Sequence, residues 1–398
     1  MVKKFLLIGI LLLISLSLFS AEVVRYVDPD SVGTPDGLTW ATAYLSLSLW
    51  EAGEGTNLVS DGDWHHVYCR ASSGSADTTQ VTINGFTTDS THYIVVEAAD
   101  GDQALKTGIS TSRYRLALDP GNTGIILVED NYVTIKGIQI VGTFSTHGHD
   151  IKITATNCKV DSCYLTGDLT GDHWNFGVEV GTGPDTIFNT IATGFNNTNT
   201  NAGFRTDTGT MYVYNSISYD CYAGVRNGSG TVVATNCAVF SSTGEDFNGT
   251  ITVDYCASDD GTGTNSVAAS GSDWANEFPD YATLDFTMIN TGNAYHGGTT
   301  GPATSLYTTD MEGDTYYSTA YSIGVDEYVA AGGISIPVAM NHYRHLFNTI
   351  VFSLNFLMTI FVFRKMLYYK RKLLFYTDDN IKALADLNDY LEERNPWD

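Results

Sequence analysis

The feature that most constrains this 398-residue sequence is a repeated pattern in its central part. An asparagine followed by a small residue and then by alternating apolar positions recurs at intervals of 32, 26 and 21 residues, at Asn157, Asn189, Asn215 and Asn236. Units of roughly 20 to 30 residues with several short strands are typical of β-solenoids. A sandwich would not keep like residues aligned from unit to unit. The repeat therefore predicts a parallel β-helix in which equivalent residues of successive coils stack about 4.8 Å apart.

The same units carry a second pattern, in which apolar and charged residues alternate. Alternation with period two places the apolar set inside, at Ile151, Val178, Phe204 and Val225. It places a row of polar residues on the outer face, at Lys152, Glu179, Arg205 and Arg226, with Asn248 as the next member. The units are too short for a crossover helix, so we predict an all-β body.

Composition supports this fold and excludes some functions. The chain has 39 glycines, only 8 prolines and 16% charged residues, which suits short strands joined by tight turns. Its 45 acidic residues outnumber 20 basic ones, and a net charge of −25 argues against a nucleic-acid partner. The six cysteines lack the spacing of a disulfide framework and are interpreted as small core residues. Only Cys237 and Cys256 fall at equivalent places in adjacent coils, where a bridge is conceivable.

Both ends of the chain carry apolar segments. Residues 1–21 combine two lysines, an apolar run and small final residues, the layout of a secretory signal peptide. Residues 346–363 form an uncharged stretch of 18 residues, long enough to cross a bilayer as a helix, and basic residues follow it. We therefore predict export, a C-terminal transmembrane helix, and a short, basic, helical tail on the cytoplasmic side. A buried or interfacial helix is the alternative for 346–363.

Several segments resemble right-handed parallel β-helix proteins of the pectin-lyase-like superfamily. They are the opening at 26–44, coil sequences such as ATNC at 155–158 and 234–237, and the closing segments at 284–288 and 323–328. The resemblance covers about residues 24–330 and implies that a short element at 46–52 closes the first coil. It is specific for fold and not for activity, because the superfamily includes lyases, hydrolases, epimerases, tailspikes and proteins without known activity.

The predicted organisation follows from these segments. It comprises a signal peptide (1–21), an N-terminal cap (22–60), parallel β-helix coils (61–270), a C-terminal cap region (271–335), a transmembrane helix (346–363) and a cytoplasmic tail (364–398).

The outward row is the first candidate for chemistry, with Lys152, Glu179, Arg205 and Arg226 as candidate catalytic residues. A lyase that acts on a uronate needs a cation to stabilise the carboxylate, a base and an acid. Arg205 or Arg226 could supply the cation, and Lys152 the base. The alternative is an ion-pair ladder that contributes little energy.

A second cluster lies in the loops beside that face. Its candidate substrate-binding residues are His147, His149, Asp172, His173 and Trp174, together with Tyr212. Carboxylates with an aromatic platform suit glycoside hydrolysis, and two histidines with a carboxylate suit a metal, whereas a solvated turn is the plain alternative. Calcium is a possible cofactor, with oxygen ligands from Asp28, Asp30 and Asp36, although turn-forming aspartates explain that loop as well.

The predicted function is binding of extracellular polysaccharide by an exported, membrane-tethered β-helix at the cell surface, because sugar faces stack on aromatic rings. A polysaccharide lyase or glycoside hydrolase that uses a sheet face is the first alternative. A structural surface or virion protein is the second.

Overall fold

The structure is a computed structural model that describes residues 20–169, 173–197, 200–295, 297–299, 309–313, 321–326, 364–365, 380–383 and 385–386. The chain separates into two units, residues 1–335 and 336–398. The strands described below all belong to the first unit.

This unit contains a long succession of short strands and a few helical turns. The strands are β1 (Ala21–Val27), β2 (Asp63–Cys69), β3 (Val81–Ile83), β4 (Ile94–Ala98), β5 (Arg115–Leu118), β6 (Gly124–Val128), β7 (Val133–Lys136), β8 (Gln139–Phe144), β9 (Gly148–Ile153), β10 (Lys159–Asp161), β11 (Tyr164–Leu169), β12 (Asn175–Val180), β13 (Asp185–Phe188), β14 (Ile191–Thr193), β15 (Ala202–Thr206), β16 (Thr210–Tyr214), β17 (Ile217–Tyr219), β18 (Ala223–Asn227), β19 (Thr231–Thr235), β20 (Ala238–Phe240), β21 (Glu245–Asn248), β22 (Thr252–Asp254), β23 (Ala257–Ser258) and β24 (Val267–Ala268). The α-helices are α1 (Leu47–Glu54) and α2 (Leu58–Asp61), and 3₁₀ turns lie at Trp40–Thr42, Ser270–Ser272, Trp274–Asn276 and Tyr281–Thr283.

Within the described residues these strands form three sheets, and neighbouring strands in each sheet are parallel. The nine-stranded sheet has the order β1-β2-β4-β7-β10-β13-β16-β19-β22, the eight-stranded sheet β5-β8-β11-β14-β17-β20-β23-β24, and the seven-stranded sheet β3-β6-β9-β12-β15-β18-β21. Each coil contributes one strand to each sheet in turn, as β7, β8 and β9 do before β10, β11 and β12. The predicted right-handed parallel β-helix is therefore confirmed, with the handedness expected of parallel crossovers.

The register of the seven-stranded sheet confirms the predicted winding. Glu179 pairs directly with Arg205 on the next coil, and the predicted inward residues are almost completely buried. The alignment of the asparagines is correct for Asn189, Asn215 and Asn236, where Nδ2 of Asn236 donates to Oδ1 of Asn215 at 3.1 Å.

The alignment is wrong for Asn157, which belongs to a different turn of the coil. Strand pairing places Ser162, and not Asn157, in the coil position next to Asn189. All of these residues have positive φ, 61° at Asn157 and 53° at Ser162. Asparagine is tolerated at left-handed positions generally, so it occurs at both turns and does not identify either one.

A bulge recurs on the seven-stranded sheet and changes which residues face inward. In each strand from β6 to β21 of this sheet, one residue is not paired with a residue of the neighbouring strand. These unpaired positions are Ile125, Asp150, Gly177, Gly203, Gly224 and Asp246. A β-carbon on Gly177 would lie 3.1 Å from Cβ of Ala192, a buried core residue. The unpaired position therefore faces the interior, as does the buried residue that follows it. The residues that flank this inward pair, such as His149 and Lys152, can then both lie on the outer face.

Gly224 occupies the unpaired position of β18, and packing requires a glycine there. A β-carbon on Gly224 would lie 1.9 Å from Cγ1 of Val239, inside the buried core. We expect Gly224→Ala to lower the free energy of unfolding by about 1–3 kcal/mol, as overpacking does. Chemical denaturation measures it, and Gly55→Ala, whose β-carbon would come no closer than 3.9 Å to Glu51, is the control expected within about 0.5 kcal/mol of wild type. Equal stability of both variants would contradict the inward placement.

The predicted N-terminal cap contributes both a strand and a helix. β1 pairs along its length with β2, so the nine-stranded sheet already begins at Ala21. Ser46 caps α1 by accepting from the backbone N–H of Leu49 at 3.2 Å. Leu47 and Trp50 of this helix are fully buried, and Trp50 stacks on Phe86 with ring centroids 5.6 Å apart. This helix therefore covers the apolar core at the first coils, as the resemblance implies for 46–52.

The region predicted as a C-terminal cap lies along the outer face of the eight-stranded sheet. One cluster joins Tyr164, Ile191, Ile217, Ala238 and Phe240 of that sheet with Trp274, Phe278, Phe286, Met288, Ile323 and Val325 of the following segment. The indole of Trp274 stacks on Phe240 at 4.0 Å. The packing reaches from the last coils back to Ala104, which lies in the loop between β4 and β5.

A buried ion cluster fastens the same segment to an early loop. The ammonium of Lys106 contacts the carboxylates of Asp326 and Glu312, the latter at 2.9 Å. Lys106 and Asp326 are buried, and Asp326 also accepts from the backbone N–H of Met288 at 2.6 Å. The carboxylates raise the pKa of Lys106 against the effect of its burial, so the lysine is charged inside the fold.

The cysteines are buried and unbridged, as predicted for core residues. Cys237 and Cys256 do lie at equivalent places, since Ala238 pairs with Ala257, but the backbone N–H of Cys237 contacts Sγ of Cys256 at 3.4 Å and no disulfide joins them.

The predictions for the two chain ends are mostly outside the described residues. Residues 1–19 and the span at 346–363 lie outside them, and within the described part of the chain no helix is long and apolar enough to cross a bilayer. In the tail, residues 380–383 and 385–386 are helical.

Candidate functional site

The predicted outer row exists as a continuous line across the seven-stranded sheet. β9, β12, β15, β18 and β21 place Lys152, Glu179, Arg205, Arg226 and Asn248 in register with one another. These residues are called the charged row below. They lie about 4.8 Å apart from coil to coil, close enough for neighbouring side chains to form ion pairs.

Glu179 is the centre of an ion network in this row. Its side chain is only 5% exposed, and its carboxylate contacts Nζ of Lys152 at 3.0 Å and a terminal nitrogen of Arg205 at 3.1 Å. Arg205 also forms an ion pair with Asp207, two residues later on the same strand face. The ladder of Lys152, Glu179 and Arg205 that the sequence predicted as an alternative to catalysis is thus present.

His149 joins the same network from the other side of the bulge. Its Nε2 lies 3.1 Å from the Glu179 carboxylate, and its ring stacks on Phe176 at 5.2 Å and 4°. Burial, together with the positive charges of Lys152 and Arg205, lowers the pKa of His149 to about 3. The imidazole is therefore neutral near pH 7, so its contact with the Glu179 carboxylate is not an ion pair at that pH.

Trp174 is the most exposed aromatic side chain near the charged row. It precedes β12, its side chain is 52% exposed, and the guanidinium carbon of Arg205 lies 5.8 Å from its ring centroid. Its backbone N–H donates to Nδ1 of His147 at 2.8 Å, and the imidazole of His147 contacts both Trp174 and His173 edge-on, at 5.8 and 5.3 Å. Trp174, His147 and His173 are called the Trp174 platform below.

The structure brings most of the predicted residues together. His147, His149, His173 and Trp174 all lie beside the charged row, whereas Asp172 lies outside the described residues. Tyr212 does not join them. It lies on β16 of the nine-stranded sheet, in register with Thr186, and its ring stacks on Tyr214 at 6.1 Å.

Two residues that contact Arg205 in this site were not predicted from the sequence. Phe176 supports Arg205, whose guanidinium carbon lies 4.4 Å from the ring centroid, as well as His149. Asp207 takes the second ion pair of Arg205. A signal for Asp207 was available, because residues two apart on a strand share a face.

The arrangement limits which reactions the row could perform. Lys152 and His149 both contact the carboxylate of Glu179, and Glu179 itself is buried. Arg226 is partly buried, and its pKa is lowered by that burial and by the neighbouring Arg205, but a guanidinium still keeps its proton in proteins. The row therefore supplies positive charge more readily than it supplies a base.

Among the residues that the structure describes, neither predicted metal arrangement forms a cluster of ligands. Asp150, beside the histidines, is fully buried at the inward bulge position, and burial raises the pKa of its carboxyl well above the usual range. In the N-terminal loop, Asp28 is ion-paired with Arg70 at 2.8 Å, and the carboxylates of Asp30 and Asp36 accept backbone N–H groups. Among the described residues no group of three or more His, Cys, Asp or Glu side chains is arranged to hold a metal.

Comparison with known proteins gives a single kind of similarity. No family model and no curated protein matches the sequence. Among solved structures, the crystal structure of pectate lyase Pel9A matches with a TM-score of 0.38 and 13% identity, over 79% of this chain and 98% of that chain. With this TM-score and identity, the match supports no statement about the activity of this chain.

Proposed function

We propose that this chain is an exported, membrane-tethered surface protein that binds an acidic extracellular polysaccharide through the charged row and the Trp174 platform. The observation that carries the proposal is the exposed indole of Trp174 beside the guanidinium of Arg205. An aromatic face stacks on the apolar face of a sugar ring, and a neighbouring cation attracts the carboxylate of a uronate.

The charge distribution supports an acidic ligand. The whole chain carries a net charge of −25, yet Lys152, Arg205 and Arg226 stand on one sheet face within three coils of one another. Glu179 and Asp207 form ion pairs with Arg205 and hold its guanidinium beside Trp174. A ligand therefore meets an ordered cation, and little conformational entropy is lost when it binds.

The same contacts favour binding over catalysis. A lyase needs a base that is free to reach a proton of the substrate, whereas Lys152, the base predicted from the sequence, contacts Glu179, as does His149. A hydrolase needs two accessible carboxyl groups, whereas Glu179 and Asp150 are buried.

The first test removes the platform. We expect Trp174→Ala to weaken binding of oligogalacturonate to the full chain by about tenfold, the loss expected when one ring-stacking contact is removed. Titration calorimetry at low salt measures the affinity, and added salt should weaken wild-type binding because it screens the cations.

Tyr212→Ala is the matched control, because it removes a partly exposed aromatic ring from a different sheet and should leave that affinity unchanged. Wild-type binding that is absent for the acidic chain, or unaffected by Trp174→Ala, would exclude this site. Incubation with polygalacturonate should release no unsaturated uronate. Release that is lost in Lys152→Ala would establish a lyase instead.

A further inference from the structure

A second ligand-sized surface lies on the nine-stranded sheet, away from the charged row. It is a groove of about 610 Å³ that crosses four coils just before β4, β7, β10 and β13. Tyr93, Tyr132 and Pro184 line it, together with the hydroxyls of Ser90, Thr134 and Thr186 and the side chain of Lys159. Four coils at about 4.8 Å span about 14 Å, enough for a few sugar rings, and the volume is in the range of small-ligand sites.

The groove continues into a cluster of partly exposed aromatic rings. Tyr93 stacks on Trp64 at 5.0 Å, Trp64 contacts His66 at 5.4 Å, and His66 stacks on Tyr68 at 4.0 Å. Tyr68 in turn stacks on Tyr26 of the neighbouring strand. These rings lie on the outer side of the sheet and keep part of their surface in solvent.

Side-chain contacts hold this aromatic surface in one conformation. Nδ1 of His66 lies 2.9 Å from a carboxylate oxygen of Glu22, and Nε2 lies 2.8 Å from Glu97. Glu97 also contacts Nζ of Lys136 at 2.7 Å. The imidazole between Trp64 and Tyr68 is therefore fixed at both nitrogens, and the stack is organised before any ligand arrives.

Tyr132, which lines the groove, is an unusual residue for its position in the coil. Tyr132 has a φ of 57° and occupies the place that Asn157, with φ 61°, takes in the next coil. A bulky residue in this conformation costs free energy that asparagine largely avoids. A tyrosine here gives the groove an aromatic wall at the expense of local stability.

From this combination we infer that the groove binds an extended chain of neutral hexoses. The aromatic walls stack on the faces of sugar rings, and the hydroxyls of Ser90, Thr134 and Thr186 exchange hydrogen bonds with their edges. The carboxylates of Glu22 and Glu97 beside the aromatic cluster are balanced by Lys136 and by Lys159 of the groove. The surface therefore offers no excess of positive charge that would favour an acidic chain over a neutral one. The site is distinct from the Trp174 platform in both its sheet and its ligand.

The experiment uses the full chain and titrates it with cellohexaose, mannohexaose and oligogalacturonate. At least one neutral hexasaccharide should bind, and Trp64→Ala and Tyr132→Asn should each weaken that binding by about tenfold. Tyr132→Asn installs the residue that the next coil carries at the same place, so it removes the ring without adding backbone strain.

The matched control is Tyr255→Asn. Tyr255 is also a partly exposed tyrosine with positive φ, 52°, and the preceding coil carries Asn236 at its position, but it does not line the groove. This variant should bind the hexasaccharide as wild type does. Absence of binding to both neutral chains, or equal affinity in wild type and Tyr132→Asn, would overturn the inference. Failure with oligogalacturonate alone would instead contradict only the function proposed for the Trp174 platform.

Discussion

Lys106→Met is expected to lower the free energy of unfolding by about 3–5 kcal/mol, the cost of leaving buried charges without their partner. The substitution keeps the length of the side chain but removes the ammonium that neutralises Asp326 and Glu312. Asp326 is almost completely buried, so water cannot replace the lost contact. Denaturation by urea, monitored by circular dichroism, measures the change.

Two further variants separate the ion cluster from simple loss of packing. Lys136→Met removes a lysine whose side chain is 39% exposed and ion-paired to Glu97, so it should cost about 1 kcal/mol or less. Lys106→Met combined with Asp326→Asn should regain part of the lost stability, because no unpaired carboxylate then remains at that position. A double variant no more stable than Lys106→Met would show that packing, and not charge, is responsible.

Asp185→Asn is expected to become more stable relative to wild type as the pH rises from about 4 to 8. Burial raises the pKa of Asp185 from 3.8 to about 7, although the backbone N–H of Cys158 donates to its carboxylate at 2.8 Å. The folded chain therefore holds a proton that the unfolded chain has released, and the stability from this group is complete below about pH 4 and lost as the pH passes about 7. Three pKa units correspond to about 4 kcal/mol.

The measurement compares the free energies of unfolding of the two proteins at several pH values. Burial also raises the pKa of Asp161 and of Asp246 to about 6, so wild type alone should lose stability over the same range. Asp119→Asn is the control with the opposite sign, because hydrogen bonds from Ser145 lower the pKa of this exposed carboxyl. A constant difference between wild type and Asp185→Asn would contradict the assignment of a buried, protonated Asp185.

The charged row could be predicted from the sequence because it depends on two regular properties of a β-helix. Alternation along a strand assigns residues to a face, and stacking of coils assigns them to a row. Lys152, Glu179 and Arg205 obey both, and their ion pairs follow from adjacency. The fold itself was predictable for the same reason.

Other parts of the site depended on irregularities that a periodic pattern does not contain. The bulge turns Asp150 inward and leaves His149 on the same face as Lys152, although they are three residues apart. Trp174 lies in the loop before β12, and Tyr212 lies on a strand of a different sheet, and alternation along a strand predicts neither placement. Asparagine at two different turns gave the wrong alignment for Asn157, since backbone conformation and not coil position selects that residue.

The segment beyond residue 270, which packs on the eight-stranded sheet, should change how this β-helix unfolds. Stacked repeats ordinarily touch only their immediate neighbours and can fray from either end. Here residues beyond position 270 contact coils from Ala257 back to Ala104, and Lys106 forms an ion pair with Asp326, more than two hundred residues later in the sequence. Contacts of such long sequence separation should make the coils unfold as one cooperative unit, and the segment that ends at Asp326 should be the last to pack during folding.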